Sequence, residues 1–118
     1  MANELTTKFS LQFSKNGDAS TVPSISEVLD VAGAPRVDTT LTIGTTEEAL
    51  GVGDVAAAGG VMFIQNLDDT NYVEIGLTGS YPFRIRAGGW AKIEASSLSL
   101  YAKADTAAVL IRYMLFSV

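Results

Sequence analysis

The sequence predicts an all-β protein, an antiparallel β-sandwich or jelly-roll-like barrel of about seven to nine short strands. Three observations lead there. From residue 61 onward, apolar and polar side chains alternate at period two in short runs. Clusters of Gly, Asn, Asp and Ser separate those runs, as turns between strands require. No long segment between them carries the apolar stripe of an amphipathic helix, so an α/β reading fails. The 118 residues fit one domain, 1–118, with 1–14 as an edge strand or an arm exchanged with a neighbouring subunit.

Along the chain, Phe9, Leu11 and Phe13 alternate with Lys8, Ser10 and Gln12, giving a strand with one apolar face. Asn16-Gly17 ends it, because both residues tolerate positive φ. Residues 21–31 are ambiguous. Ile25, Val28 and Leu29 suit a helix face, whereas the β-branched content favours a strand around 26–31. After a break at Gly33-Ala34-Pro35, Val37, Thr39, Leu41 and Ile43 share a strand face. Thr45-Thr46-Glu47-Glu48-Ala49-Leu50 reads as one threonine-capped helical turn. Gly51–Gly60 reads as a loop whose small apolar residues form a packed connection.

The second half is clearer. Residues 61–65 are nearly all apolar, consistent with burial on both faces, and 66–71 form a polar turn. Val73, Ile75 and Leu77 share one side of the next strand, within which Gly76 suggests a bulge or a close backbone approach. Phe83 and Ile85 alternate with Arg84 and Arg86, and Gly88-Gly89 precedes a strand from Trp90. A run over 98–103 leads to the last strand, 108–116, with Val109, Ile111, Tyr113 and Leu115 on one face.

Composition removes many chemistries. Without cysteine or histidine, the chain has no thiol nucleophile, Ser-His relay or CxxC centre. A net charge of −5, with no basic run, argues against nucleic acid and anionic membranes as partners. No apolar run approaches the ~20 residues of a transmembrane helix. Met1-Ala2-Asn3-Glu4 has neither the positive region nor the apolar core of a signal peptide, and the lack of cysteine fits synthesis in a reducing cytoplasm.

Asp68, Asp69, Asn71 and Glu74 are the densest group of oxygen ligands, but their spacing matches no calcium loop and they are ordinary turn residues. The pairs Asp68-Asp69 and Glu47-Glu48 establish no two-carboxylate catalytic geometry. The chain is therefore read as a non-enzyme that needs no metal or cofactor.

Binding is the stronger expectation. Tyr72, Trp90 and Tyr101 fall in register with polar neighbours (Glu74, Lys92 and Glu94, Ser99 and Lys103), so they are candidate interface or ligand-binding residues. Phe9, Leu11 and Phe13 of the first strand join them as candidate subunit contacts. Three aromatics on polar faces also suit a carbohydrate-binding module, the main rival reading.

One ordered set of motifs spans Val61 to Tyr113: a strand ending in Gln65-Asn66, Asn71-Tyr72-Val73-Glu74-Ile75-Gly76, Pro82-Phe83-Arg84-Ile85, Gly88-Gly89-Trp90 and Leu100-Tyr101-Ala102-Lys103-Ala104. This half of the chain resembles small β-sandwich structural proteins of tailed bacteriophages, found among head-decoration, cement and tail-associated components. The resemblance implies a non-enzymatic virion protein, assembled in the host cytoplasm, present in many copies as a homo-oligomer and bound to capsid or tail proteins. It implies a capsid decoration or cement role first, and a tail or baseplate component as the alternative. It carries over no catalytic residue.

Overall fold

The computed structural model describes residues 4–31, 36–51, 60–95 and 100–117. The break expected at 33–35, most of the loop over 51–60 and the start of the run over 98–103 lie outside the described residues. Ten strands and no helix are present among those described. In chain order they are β1 (Leu5–Lys15), β2 (Asp18–Leu29), β3 (Arg36–Ile43), β4 (Glu48–Ala49), β5 (Gly60–Asn66), β6 (Val73–Leu77), β7 (Ser80–Ile85), β8 (Trp90–Ala95), β9 (Tyr101–Ala104) and β10 (Val109–Phe116).

They form three antiparallel sheets: a β1-β2 ribbon, a four-stranded sheet in the order β3-β10-β5-β8, and a second in the order β4-β9-β6-β7. The chain divides into two compact units, Met1–Ala32 and Gly33–Val118. The sandwich is thus built by the second unit, and the ribbon is a unit of its own.

In the sandwich, alternate residues of each sheet point inward and merge into one core. β10 supplies Val109, Ile111, Tyr113 and Leu115, all fully buried, as the alternation of 108–116 predicts. β10 is central, pairing with β3 on one side and β5 on the other. β5 adds Met62 and Ile64, and its Val61 is buried as well, so the nearly all-apolar run 61–65 is a central strand. The second sheet contributes Val73, Ile75, Ile85, Ala102 and Ala104 to the same cluster.

The helical turn expected over 45–50 is corrected. Ala49 pairs with Tyr101 and the Leu50 N–H donates to the Leu100 carbonyl at 2.9 Å, so these backbone groups are taken up by β9. The Glu48 carboxylate instead accepts the Gly44 N–H at 2.6 Å, fixing a bend at Thr45-Thr46.

Gly76 has the close approach expected of it. A Cβ there would lie 2.7 Å from the Tyr81 Cα and 2.8 Å from the Pro82 Cδ, and would collide with the Ser80 carbonyl. The β6–β7 register shifts between Ile75 and Leu77, and this crossing of backbones is where it shifts.

Among the described residues, Asn66 is the one buried side-chain amide. Its Nδ2 donates to the carbonyls of Asn71 (2.9 Å) and Ile85 (3.1 Å), and its Oδ1 accepts the Asp68 N–H (2.9 Å). One residue of the first sheet thereby holds the 66–71 turn and the end of β7 in the second. Tyr113 is the opposite case. Its hydroxyl is buried without a hydrogen-bond partner among the described residues, and burial pushes its pKa up to about 12.

These two polar groups should respond oppositely to removal. Asn66→Ala leaves the Ile85 carbonyl buried and unsatisfied, and should lower stability by about 2–3 kcal/mol in urea unfolding. Tyr113→Phe removes an unpaired hydroxyl from the core and should raise stability by about 1 kcal/mol. A loss of stability in Tyr113→Phe would mean that the hydroxyl has a partner.

Candidate functional site

The ribbon carries the first three candidates. Phe9 is 41%, Leu11 46% and Phe13 45% exposed. Asn16 and Gly17 have φ of 51° and 81°, the two positive values that a two-residue hairpin turn needs. Residues paired directly across an antiparallel ribbon share a face. Leu5 with Leu29, Phe9 with Ile25, Leu11 with Val22 and Phe13 with Ser20 therefore lie on one side. The opposite side presents Thr6, Lys8, Gln12 and Ser14 against Val28, Ser26, Thr21 and Ala19.

Val22 and Ile25 differ in parity, yet both face the apolar side. Between the pairs Phe9–Ile25 and Leu11–Val22, β2 uses one residue more than β1, and this bulge at Pro23-Ser24 restores the alignment. It also explains why 21–31 is ambiguous as a sequence: the apolar spacing of three mimics a helix. Val22 and Ile25 thus belong to the exposed apolar face, with the half-buried Leu5 and Leu29 on the same side, and only knowledge of the bulge would reveal that Val22 and Ile25 face one way.

Tyr72 and Tyr101 lie on the outer face of the second sheet, both half-buried. Glu74 sits at the centre of this face, paired across to Arg84 on β7 and Lys103 on β9. The Arg84 guanidinium lies 4.2 Å from the Tyr72 ring centre, and the Lys103 Nζ 5.7 Å from that of Tyr81. The Asp105 charge, then burial, raises the Tyr72 pKa. Much of the ring surface of Tyr72 is thus engaged by this chain's own cation.

Trp90 is 53% exposed on the outer face of the other sheet, opposite Gln65. The outer faces of a sandwich look away from each other. Trp90 therefore cannot share a platform with Tyr72 and Tyr101, and the three-ring sugar surface does not form.

The acidic turn is self-contained. Asp68 Oδ2 accepts the N–H groups of Thr70 (3.0 Å) and Asn71 (2.6 Å), and these bonds, Asn71 first, hold its pKa below the usual value. Asp69 accepts from the Thr70 hydroxyl, while Glu74 sits on the sheet between two cations. Among the described residues, no group of three or more acidic side chains could hold a metal ion.

Sequence reasoning did not single out the junction at Glu47. Its carboxylate accepts the hydroxyls of Thr78 and Tyr81 and the Gly79 N–H (3.0 Å), tying the segment before β4 to the β6–β7 turn. Thr78, then Tyr81, then Gly79 hold its pKa below the ordinary 4.5. The two adjacent glutamates point apart, Glu48 to Gly44 and Glu47 to this turn, so they form no acid pair.

An open groove of about 510 Å³ runs between edge strands β7 and β8. Ile75, Ile85 and Ile93 line it, with Phe83, Arg84 and Lys92 among its remaining walls.

Because the Glu47 carboxylate titrates lower folded than unfolded, its contribution is present at neutral pH. It is lost as pH falls below 4.5 through the folded value. Carbon-detected NMR titration should place the Glu47 midpoint below 4.5, and Tyr81→Phe should move it upward. No protein-family model matches the chain, and no curated protein matches it significantly.

Proposed function

We propose that this protein is a non-enzymatic structural component of a phage virion, a capsid decoration or cement protein that stabilises the particle through subunit contacts. The observation that carries the reading is the ribbon: two strands of 11 and 12 residues whose apolar face is open to solvent. A lone two-stranded ribbon is marginal in water, so an exposed apolar face on one calls for a protein partner. The compact sandwich offers further contact surfaces at Trp90 and Phe83, which are 53% and 62% exposed. The phage resemblance of the Val61–Tyr113 motifs supplies the setting: capsid proteins as partners, and the virion as the final location after assembly in the host cytoplasm.

The carbohydrate-binding alternative needs its aromatics on one open surface, and the averted positions of Trp90 and the two tyrosines count against it. Mass spectrometry of purified virions from the phage or prophage that encodes this chain tests the proposal. The expected result is a multi-copy protein, with antibody label on the head in electron micrographs. Absence from purified virions would overturn the virion role, and label confined to the tail would overturn the capsid assignment.

A further inference from the structure

We infer that the apolar face of the β1–β2 ribbon is covered by the same face of a second copy, two ribbons stacking into a four-stranded, two-layer β-sandwich. This inference rests on the structural role proposed above for its setting, but its geometry comes from the ribbon alone.

Shape is the first argument. The face is a two-strand stripe of large apolar side chains, Phe9, Leu11 and Phe13 against Ile25 and Val22, followed by Leu5 and Leu29 nearer the open end. A covering surface must be equally long, apolar and of period two. An identical ribbon meets all three conditions, and a two-fold axis through the seam makes the contact self-complementary.

Charge is the second. Across the pairs Phe9–Ile25, Leu11–Val22 and Phe13–Ser20 the apolar face carries no ionisable side chain. Charge on this face lies at its two ends, Glu27 opposite Thr7 and the Lys15–Asp18 pair beside the turn. Lys8 lies on the other side, paired with Ser26. Stacking two faces over these three pairs therefore desolvates no charge, despite the net −5 of each chain, and leaves the Lys15–Asp18 pair at the rim.

Area sets the strength. Phe9, Leu11, Phe13, Val22 and Ile25 are 37–56% exposed, which at about 150–250 Å² per large side chain leaves roughly 400 Å² open. Two faces together bury about 800 Å², short of the ~1,200–2,000 Å² of stable complexes. The pair is accordingly reversible, weak in dilute solution and reinforced wherever copies are held close together.

The test is solution mass by sedimentation over a wide concentration series, on the full chain and three variants. Wild type and Gln12→Asp, which changes the opposite face, should pass from monomer to dimer. Leu11→Asp and Val22→Asp, cross-strand partners on the apolar face, should stay monomeric with circular dichroism unchanged. Because the chain lacks cysteine, a nitroxide on Gln12→Cys gives a second readout. Stacked sheets ~10 Å apart with outward labels should show an inter-chain distance of about 25 Å.

A strict monomer at every concentration, a dimer that survives Leu11→Asp, or a dimer without that distance would each overturn the inference. If wild type is monomeric yet present in virions, self-pairing fails while the virion role stands. A dimer absent from virions gives the reverse.

Discussion

The sandwich depends on one strand being paired along both edges. β10 has its backbone satisfied by β3 and β5 and sends four consecutive inward side chains into the core, none of them accessible. A strand so enclosed has no freedom of register, because a slip by one residue would drive Leu110, Arg112 and Met114 inward. The neighbours inherit this constraint. β3 and β5 are placed by β10, and β8 by β5. The second sheet must then present Val73, Ile75, Ile85 and the small Ala102 and Ala104 where the first leaves room. A Tyr113 hydroxyl with no partner among the described residues is tolerated within this frame because the ring volume fills the core.

Against that frame, the polar groups divide into those that join segments and those that face outward. Asn66 and Glu47 each gather groups from separate turns, one under cover of the core and the other at the surface. The row Arg84–Glu74–Lys103, with Tyr72 and Tyr81 beneath its cations, sets one carboxylate between two cations on the outside of one sheet. That face is largely self-satisfied. The ribbon's apolar side is not, which is why the functional argument settles there instead of on the aromatic residues of the sandwich.

Much of this could be read from the sequence, and the limits have physical causes. Strict alternation in 109–115 and the nearly all-apolar run 61–65 expose the core strands directly, because side-chain period two is a property of the strand itself. Asn16-Gly17 marks its turn for the same local reason. The helical turn at 45–50 misleads because capping chemistry is local, whereas the pairing of Ala49 and Leu50 with residues 100–101 is not. Phe83 shares the inward parity of Ile85 but lies exposed, since it sits on an edge strand and parity says nothing of sheet order. The candidate residues were individually visible. Which of them share a surface was not, because Trp90, Tyr72 and Tyr101 are separated only by the assignment of strands to sheets.

The bulge at Pro23-Ser24 has a consequence for how this chain can vary. The extra residue keeps Val22 and Ile25 on the same side although their numbers differ by three. Removing one residue there, with the flanking pairs Leu11–Val22 and Phe9–Ile25 retained, would leave one residue of β2 opposite Ser10 of β1 and straighten the ribbon without moving the stripe. Removing one residue elsewhere in β2 would turn everything beyond it to the wrong side. Length in this strand is therefore tolerant at a single point, and a bulge that comes and goes would alter the twist of the ribbon while its apolar face endures.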